Sequence, residues 1–486
     1  MPNTGFFQYG ERLRAHMGNS DAVGRMPAPH GVGTSGSSDC GDTVRIEVAL
    51  REGCVETIRF QAYGCPAAIG AAAEVARGAE GVALLDILSR GATDVAEVLE
   101  LPPEKRGCVA VAIDALHSAL EDAVRNNRNV LSGVASAGQQ GVLVAMSGGV
   151  DSSVAALLLQ RQGYQVVGVT FRLWSDPACT AIRGCCSPET IQRAREVAHG
   201  LGVPHLTVDA TEEFLEKVVG VFINEYSGAR TPNPCVRCNS DFRFAALAEL
   251  ADTMGLYWIA TGHYAKMDSS AGTLKRGVDS NKDQSYVLAS THSELLSRCI
   301  FPLGGQTKEE TRIQARAAGL VTQDSPESQE ICFIPDDDYR RFLQSRLGKS
   351  PGRIVNTSGR VLGRHTGIYN FTLGQRRGLG VSVSEPLYVV ELRPDECDVV
   401  VGSAEEALIW TVRVDGLVQH VDELPEHGYT QLRSTGGAVG VRIEKDGEEM
   451  LLHLEEAVRG VAPGQAAVVY VDDVVVAAGA ISSVSG

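Results

Sequence analysis

Hydrophobic and polar residues alternate in two early segments, TVRIEVALREG (43–53) and CVETIRFQAYG (54–64), as in half-buried β-strands. We predict two strands with a turn at Glu52-Gly53. Helical patterns follow in CPAAIGAAAEVARG (65–78) and RGCVAVAIDALHSALEDAV (106–124). Residues 1–30 are rich in Gly and Pro, and we expect them to be irregular.

The pattern changes at Gly141, after the polar, Gly- and Ser-bearing segment 125–140, which is typical of a linker. The apolar runs 141–146, 164–171 and 203–208 are typical of buried strands, and helical patterns lie between them. Strands that alternate with helices predict a doubly wound parallel sheet. Beyond residue 345 helical patterns are scarce, and short strands separated by Gly predict one or two small β-barrels.

The predicted fold class is therefore α/β, with a central doubly wound sheet, small β domains after it and an N-terminal α+β domain. A chain of 486 residues is too long for one ordinary core. The predicted parts are an N-terminal domain (20–126), a linker (127–140), the parallel-sheet domain (141–345), a central small β domain (346–408) and a C-terminal β-barrel (409–486).

Net charge and hydropathy limit where in the cell the protein is expected and which classes of partner it is expected to bind. A formal net charge of −16 argues mildly against a protein that coats nucleic acid, although a local basic groove remains compatible with it. We find no apolar run that could span a bilayer and no signal peptide, so we expect a cytoplasmic protein without a membrane partner. Twelve cysteines, many of them clustered, indicate metal, cluster or catalytic sulfur chemistry in a reducing compartment.

A Gly-rich loop, AMSGGVDSS (145–153), lies between a predicted strand and a predicted helix. Its backbone N–H groups and the positive helix end suit a phosphate, and Asp151 suits Mg²⁺ carried with pyrophosphate. The loop lacks the Lys of a Walker A sequence. It resembles the loop of the ATP pyrophosphatase (PP-loop) superfamily, which implies cleavage of ATP to AMP and pyrophosphate but leaves the substrate open.

The segment TPNPCVRCN (231–239) places Cys235 and Cys238 three positions apart, after two prolines. Such a pair can hold a metal, form a redox couple or direct one thiolate at a substrate. The spacing does not distinguish these roles.

Four further motifs follow in order: ATGHYAK (260–266), KDQSYVL (282–288), ESQEICFI (327–334) and FTLGQRRGLG (371–380). With TPNPCVRCN they make residues 141–480 resemble the bacterial-type tRNA-specific 2-thiouridylases. The resemblance implies that ATP adenylates the carbon-2 oxygen of the wobble uridine (position 34) and that sulfur then replaces this oxygen. Small-molecule synthesis by a PP-loop synthetase, without tRNA dependence, is the first competing hypothesis. A non-enzymatic iron–sulfur carrier, which would not need to bind ATP, is the second.

The resemblance also implies roles for individual residues. Cys238 and Cys332 would form the catalytic sulfur-handling pair, and the two Arg of GQRRG (374–378) suit phosphate. The residues implied at the ATP site are Ala145, Met146, Ser147, Gly148, Gly149, Val150, Asp151, Ser152, Phe171 and Gly262. Those implied at the tRNA are Asn233, Pro234 and Cys235, against the target base, and Lys282, Asp283 and Gln284.

Cys235 departs from the family, because many members have Asp at this position. With Cys238 and Cys332 it offers three thiols, enough to hold a 4Fe–4S cluster with one iron open for a sulfide. We favour this version. In the alternative, Cys332 carries a persulfide and Cys238 acts as its partner.

The N-terminal motifs DCGDTVRIEV (39–48), AYGCPAAIG (62–70) and RGCVAVAIDAL (106–116) supply Cys40, Asp42, Cys65 and Cys108. They resemble the U-type (NifU-like) iron–sulfur scaffolds over residues 20–125. That resemblance implies a 2Fe–2S or 4Fe–4S cluster on the three cysteines, made labile by Asp42. Gly107 stands where the family often has His, which makes Asp42 the stronger candidate for the fourth ligand.

The expected partners are tRNA and a cysteine desulfurase or another sulfur donor, while the oligomeric state is left open. Three cysteines in CTAIRGCC (179–186) suit zinc or a plain loop equally well. The remaining cysteines, Cys54, Cys299 and Cys397, are expected to be structural.

Overall fold

The computed structural model describes residues 21–37, 40–135, 138–177, 187–268, 272–325, 331–334, 336–381 and 385–486, together with Glu11 and Leu13. The predicted Cys179, Cys185 and Cys186 lie outside these ranges, as do Asp39 and most of residues 1–20.

The N-terminal domain is an antiparallel sheet in the order β1-β2-β3, covered by helices. Its elements are β1 (Gly31–Gly36), β2 (Thr43–Arg51), β3 (Cys54–Tyr63), α1 (Pro66–Ala79), α2 (Leu84–Leu88), α3 (Ala92–Val98) and α4 (Arg106–Asn126). The predicted turn is confirmed, since Glu52 and Gly53 have φ values of +50° and +75°. Two consecutive left-handed residues are what a tight hairpin requires.

Strand β1 was not predicted, because its sequence GVGTSG shows no alternation. The strand lies directly against α4. A Cβ at Gly31 or Gly33 would stand 2.0 or 2.1 Å from the carbonyl oxygen of Ala119 or Ala115. The glycines therefore allow the contact between strand and helix, which a hydrophobic pattern cannot reveal.

The second domain has a parallel five-stranded sheet in the order β10-β7-β4-β5-β6. Its strands are β4 (Gly138–Ala145), β5 (Gln165–Arg172), β6 (His205–Asp209), β7 (Leu256–Ala260) and β10 (Cys299–Ile300), while β8 (Ala265–Asp268) and β9 (Thr273–Arg276) form a hairpin outside the sheet. Its helices are α5 (Val150–Arg161), α6 (Pro188–Gly200), α7 (Thr211–Phe214), α8 (Val221–Ser227), α9 (Pro234–Arg237), α10 (Phe244–Met254), α11 (Ser285–Leu288), α12 (Ser293–Leu296), α13 (Lys308–Ala317) and α14 (Tyr339–Leu347). Within the described ranges, no helix has the length and apolar character needed to cross a bilayer.

Two β structures complete the chain, and the predicted fold class is confirmed. The first is a sheet in the order β12-β11-β14-β13, made of β11 (Gly352–Asn356), β12 (Val361–His365), β13 (Tyr388–Arg393) and β14 (Asp398–Gly402). The second is a six-stranded barrel, β15-β18-β17-β16-β19-β20, closed by pairing of β15 with β20. Its strands are β15 (Ile409–Gln419), β16 (His427–Gln431), β17 (Val439–Asp446), β18 (Glu449–Val458), β19 (Ala466–Val471) and β20 (Val474–Ser485).

Helix α4 of the N-terminal domain covers part of the parallel sheet. Leu116 of α4 belongs to the same buried core as Val169 of β5 and Leu206 of β6. The opposite face of the sheet packs against α5, α6 and α13. A parallel sheet must be covered on both faces, and here the N-terminal domain supplies some of that cover.

A polar cluster fixes this docking. The Arg195 guanidinium, on α6, donates hydrogen bonds to Asp114 (3.0 Å) and Glu121 (2.7 Å) of α4. Beside it the buried His117 ring and the half-buried His199 ring meet edge to face at 5.2 Å. Burial, with repulsion from Arg195, lowers the pKa of His199 to about 4.

The segment between the domains is also attached. The Gly133 N–H donates to the Thr253 carbonyl (2.8 Å), and the Ala135 N–H donates to the Met254 carbonyl (2.9 Å). Leu131 is fully buried. The segment is thus held against the end of α10.

We expect the Arg195→Ala variant to loosen the docking of α4. The substitution removes the nearer partner of Glu121, whose side chain is 13% exposed, and leaves Arg172 at 3.9 Å. We expect a loss of about 2 kcal/mol in unfolding free energy, since breaking a largely buried ion pair strands a charge. Urea unfolding and amide hydrogen exchange in α4 measure it.

The matched control is Arg128→Ala, which removes an exposed pair between the segment that follows α4 and Glu249 of α10. Exposed pairs contribute about 0–1 kcal/mol. Equal effects of the two substitutions would contradict the role of Arg195.

Candidate functional site

The Gly-rich loop lies at the carboxyl end of β4, between β5 and β7, where ligands bind in open α/β sheets. Gly149 is the residue before α5, so the loop leads directly into the positive end of that helix. The Ser152 hydroxyl accepts a hydrogen bond from the Ser147 N–H (3.0 Å) and donates to the Gly149 carbonyl (3.2 Å). The loop is thus fixed internally in a turn that suits phosphate.

Two glycines allow other segments to approach the loop. Gly148 has φ +69°, and a Cβ there would stand 2.2 Å from the Thr190 carbonyl oxygen of α6. A Cβ at Gly262, after β7, would stand 2.8 Å from the backbone of Asp151 and Ser152. Gly262 therefore lies against the loop, as expected if it lines the same site.

The Asp151 carboxylate is held by residues that the sequence did not assign to the site. The Lys308 Nζ lies 2.6 and 2.7 Å from its two oxygens, and the Tyr264 hydroxyl lies 2.8 Å from Oδ1. Lys308 begins α13, whose start is marked in the sequence by the capping box of Thr307 and Glu310. That local signal locates the helix start, but not the contact with Asp151.

The thiol loop owes its shape to Asn233. Its side chain accepts hydrogen bonds from the N–H groups of Cys235 (3.0 Å) and Val236 (3.3 Å), and Pro234 takes the first helical position. Helix α9 continues into a π-helical turn, Cys238–Arg243. Cys235 and Cys238, three positions apart on a helix, face the same side.

Cys238 and Cys332 share one apolar cluster. Cys238 is 5% exposed and belongs to a core that includes Phe242 and Phe333, against which Cys332 packs. Phe171, from the end of β5, packs against the same cluster, with its ring 5.9 Å from that of Phe242. The structure thus brings together the predicted thiol pair and one predicted ATP-site residue.

Cys235 lies at the outer side of this cluster and is exposed to solvent. The protein around its thiol still withdraws it from bulk water. This desolvation and the neighbouring thiols of Cys332 and Cys238 raise the pKa of Cys235 to about 12. At neutral pH it is therefore protonated unless a metal or another cation replaces the proton.

Two of the residues expected at the tRNA are engaged within the protein. The Asp283 carboxylate accepts hydrogen bonds from the Gly277 N–H (2.9 Å) and the Ser285 hydroxyl (2.8 Å). The Gln284 side chain accepts one from the Tyr264 N–H (2.9 Å). These bonds support the segment that carries Tyr264. Contacts of Lys282, Asp283 and Gln284 with tRNA stay predictions.

In the N-terminal domain, ligand atoms of Asp42, Cys65 and Cys108 all lie within 4.8 Å of one another. The Cys65 and Cys108 sulfurs are 3.5 Å apart. The Cys65 N–H donates to Asp42 (2.8 Å), and the exposed Cys40 hydrogen bonds to the same carboxylate. Three of the four predicted residues, Asp42, Cys65 and Cys108, therefore converge, and thiols with a carboxylate are a donor set that suits iron.

The close packing of these side chains shifts the pKa values of Cys108 and Asp42. Burial, followed by the hydrogen bond and repulsion from Cys65, raises the pKa of Cys108 to about 12. Burial would also raise the pKa of Asp42, but hydrogen bonds from the Cys65 N–H and the thiols of Cys40, Cys65 and Cys108 outweigh it, and the pKa is lowered. An ionised Asp42 beside protonated thiols is a state that a bound cation would stabilise.

The fold and the two sites define a PP-loop ATP-using domain joined to an iron–sulfur scaffold domain, and comparisons with known families agree. Residues 8–129 match the family described as NifU-like N terminal domain, and 140–336 match the tRNA methyl transferase HUP domain. Residues 340–403 match the tRNA methyl transferase PRC-barrel domain, and 413–481 match the aminomethyltransferase beta-barrel domain.

Curated relatives are similar over the whole chain or most of it. The bifunctional protein NifU/MnmA of Rubrobacter xylanophilus is 45% identical over 476 residues, which are 96% of each chain. The tRNA-specific 2-thiouridylase MnmA of Carboxydothermus hydrogenoformans is 45% identical over 71% of this chain and 98% of its own. A NifU-like crystal structure from Brucella abortus is 17% identical, with a TM-score of 0.22, over 24% of this chain and 92% of that one. The chain belongs to the bifunctional NifU/MnmA family.

The raised pKa of Cys108 predicts slow alkylation of the metal-free full chain at pH 8. Its folded value of about 12 exceeds the ordinary 9.0, so at pH 8 a far smaller fraction of Cys108 is thiolate than of the same thiol in an unfolded chain. Between pH 9 and 12 the folded state consequently loses stability as the pH rises. Mass spectrometry after iodoacetamide should find Cys40, which is exposed, modified first. Equal rates for both cysteines would contradict the assignment.

Proposed function

We propose that this chain 2-thiolates the wobble uridine of tRNA in an ATP-dependent reaction, with its N-terminal domain assembling or donating an iron–sulfur cluster. The observation that carries the proposal is the convergence of Cys238, Cys332 and Phe171 in one apolar cluster at the carboxyl end of the parallel sheet. The Gly-rich loop ends the neighbouring strand. Activation and sulfur delivery therefore have adjacent places in the fold.

The first step is adenylation at the loop. The carbon-2 oxygen of uracil bonds to the α-phosphorus of MgATP, and the bond to the bridging oxygen breaks with its electron pair going to pyrophosphate. The uracil N3 proton leaves to water. The phosphates would bind at the helix end after Gly149, beside Ser147 of the same loop. The product carries AMP, a far better leaving group than a carbonyl oxygen.

Sulfur delivery uses the three thiols. Desolvation and the neighbouring thiols of Cys332 and Cys238 raise the pKa of Cys235, and a metal that replaces the thiol proton would relieve this cost. Cys235, Cys238 and Cys332 would hold the 4Fe–4S cluster that we favour. Such a cluster would supply sulfide at an open iron. The aromatic side chains around Cys238 and Cys332 exclude water, which protects the adenylated base from hydrolysis.

The persulfide route uses Cys238 and Cys332, and each turnover consumes two electrons from a thiol reductant. The outer sulfur of a Cys332 persulfide would attack carbon 2 and expel AMP. The Cys238 thiolate would then attack the Cys332 sulfur, which releases the thiouridine and forms a disulfide between the two cysteines. A thiol reductant must restore them before the next turnover. Charging Cys332 requires a desulfurase or another persulfide donor.

Substitution of Cys238 or Cys332 by Ala should abolish thiolation of tRNA by the full chain. Release of pyrophosphate in the presence of tRNA and ATP should persist, because neither sulfur takes part in adenylation. Thiouridine in digested tRNA and released pyrophosphate are measured together. The control is Cys299→Ala. The Cys299 thiol is buried and donates a hydrogen bond to the Leu295 carbonyl oxygen. Full thiolation by Cys238→Ala or Cys332→Ala would refute the assignment.

The Cys235→Asp variant separates the two sulfur routes. It removes one of three thiols but restores the residue that many family members have. Under the cluster route, the anaerobically purified variant should lose the absorption and the Mössbauer signal of the cluster held by Cys235, Cys238 and Cys332. Thiolation should fall at least 100-fold, on the order of the loss of an essential catalytic group. Undiminished thiolation with a persulfide donor would instead favour the persulfide route.

A further inference from the structure

We propose that Lys308 binds the leaving pyrophosphate of ATP, and that Asp151 holds Lys308 in reserve until MgATP arrives. This inference rests on the proposed function and adds a residue to its first step. Both Asp151 oxygens lie within 2.7 Å of the Lys308 Nζ. Asp151 belongs to the Gly-rich loop sequence and lies in the first turn of α5. Lys308 therefore lies beside the place where the loop would receive phosphates.

The pair is anchored on both sides. The Lys308 backbone N–H donates to Asp279 (3.0 Å), which fixes the start of α13. The Tyr264 hydroxyl lies 2.8 Å from Asp151 and 2.9 Å from the Thr311 hydroxyl, one turn along α13. The Lys308 side chain is 12% exposed and that of Asp151 is 35% exposed. The backbones are fixed while the flexible lysine stem can turn from one acceptor to another.

Competition between two cations for one carboxylate explains why Lys308 would leave Asp151 when MgATP binds. The Mg²⁺ of MgATP competes with Lys308 for the Asp151 carboxylate, which is a hard oxygen ligand. Lys308 is then released next to the β- and γ-phosphates. As uracil O2 bonds to the α-phosphorus, the electron pair of the broken bond moves onto pyrophosphate. A cation beside that leaving group stabilises charge that develops in the transition state.

The exchange is tested on the full chain with Lys308→Met, measuring tRNA-dependent pyrophosphate release. We expect kcat to fall about 100-fold, as for the loss of one preorganised group that stabilises transition-state charge, with a smaller change in KM. Lys308→Arg, which keeps the charge, should be intermediate. Lys275→Met removes a comparable ion pair, with Asp268 (2.8 Å), and should retain the wild-type rate.

Binding of Mn²⁺ alone supplies a readout that does not depend on activity. In Lys308→Met, Mn²⁺ no longer has to displace a lysine from the Asp151 carboxylate. The variant should therefore bind Mn²⁺ about 5-fold more tightly than wild type, a gain on the order of the free energy of a partly exposed ion pair. The gain should vanish when Asp151→Asn is added. Electron paramagnetic resonance of free Mn²⁺ measures both.

The outcomes distinguish this inference from the function it rests on. A wild-type chain that releases no pyrophosphate with tRNA would refute the proposed function, while the Mn²⁺ measurement would still test the pair. A wild-type kcat for Lys308→Met would overturn the role of Lys308. A slow variant without tighter Mn²⁺ binding would overturn the exchange with Asp151.

Discussion

The close approach of backbone segments to the Gly-rich loop is the constraint on which the ATP site depends. On one side Gly262 meets the start of α5, and on the other the Thr190 carbonyl meets Gly148. At both contacts a side chain would overlap backbone atoms, which cannot yield as a flexible side chain can. The loop is therefore held between the end of β7 and the start of α6. Because Tyr264 follows Gly262 by two residues, the same contact also places its hydroxyl on Asp151.

Local patterns predicted most of the fold, since the features they report are themselves local. The hairpin at Glu52 and the alternation of strands and helices after Gly141 follow from hydrophobic spacing and turn residues. The features that these patterns did not predict depend on contacts between residues that are distant in sequence. Strand β1 depends on the helix it touches, and the pair of Asp151 and Lys308 joins two helices that are remote in sequence. Periodicity contains no information on such contacts.

The candidate sites show the same division. Family motifs located both groups of cysteines, and the structure places Cys65 with Cys108 and Cys238 with Cys332. The two surroundings differ in a way that the motifs did not show. The N-terminal group includes a carboxylate, Asp42, beside its thiols, as suits a cluster that is built and passed on. The second group lies among aromatic rings, as suits chemistry that water would spoil.

The shared core beneath α4 has a consequence for how the chain can be divided. Because α4 shares one buried core with Val169 and Leu206, a cut near residue 130 would leave two apolar surfaces facing water. Each fragment would tend to aggregate or to seek a substitute partner. The two domains match separate families, yet they share one buried core. Because they lie on one chain, the two domains are also made in equal number.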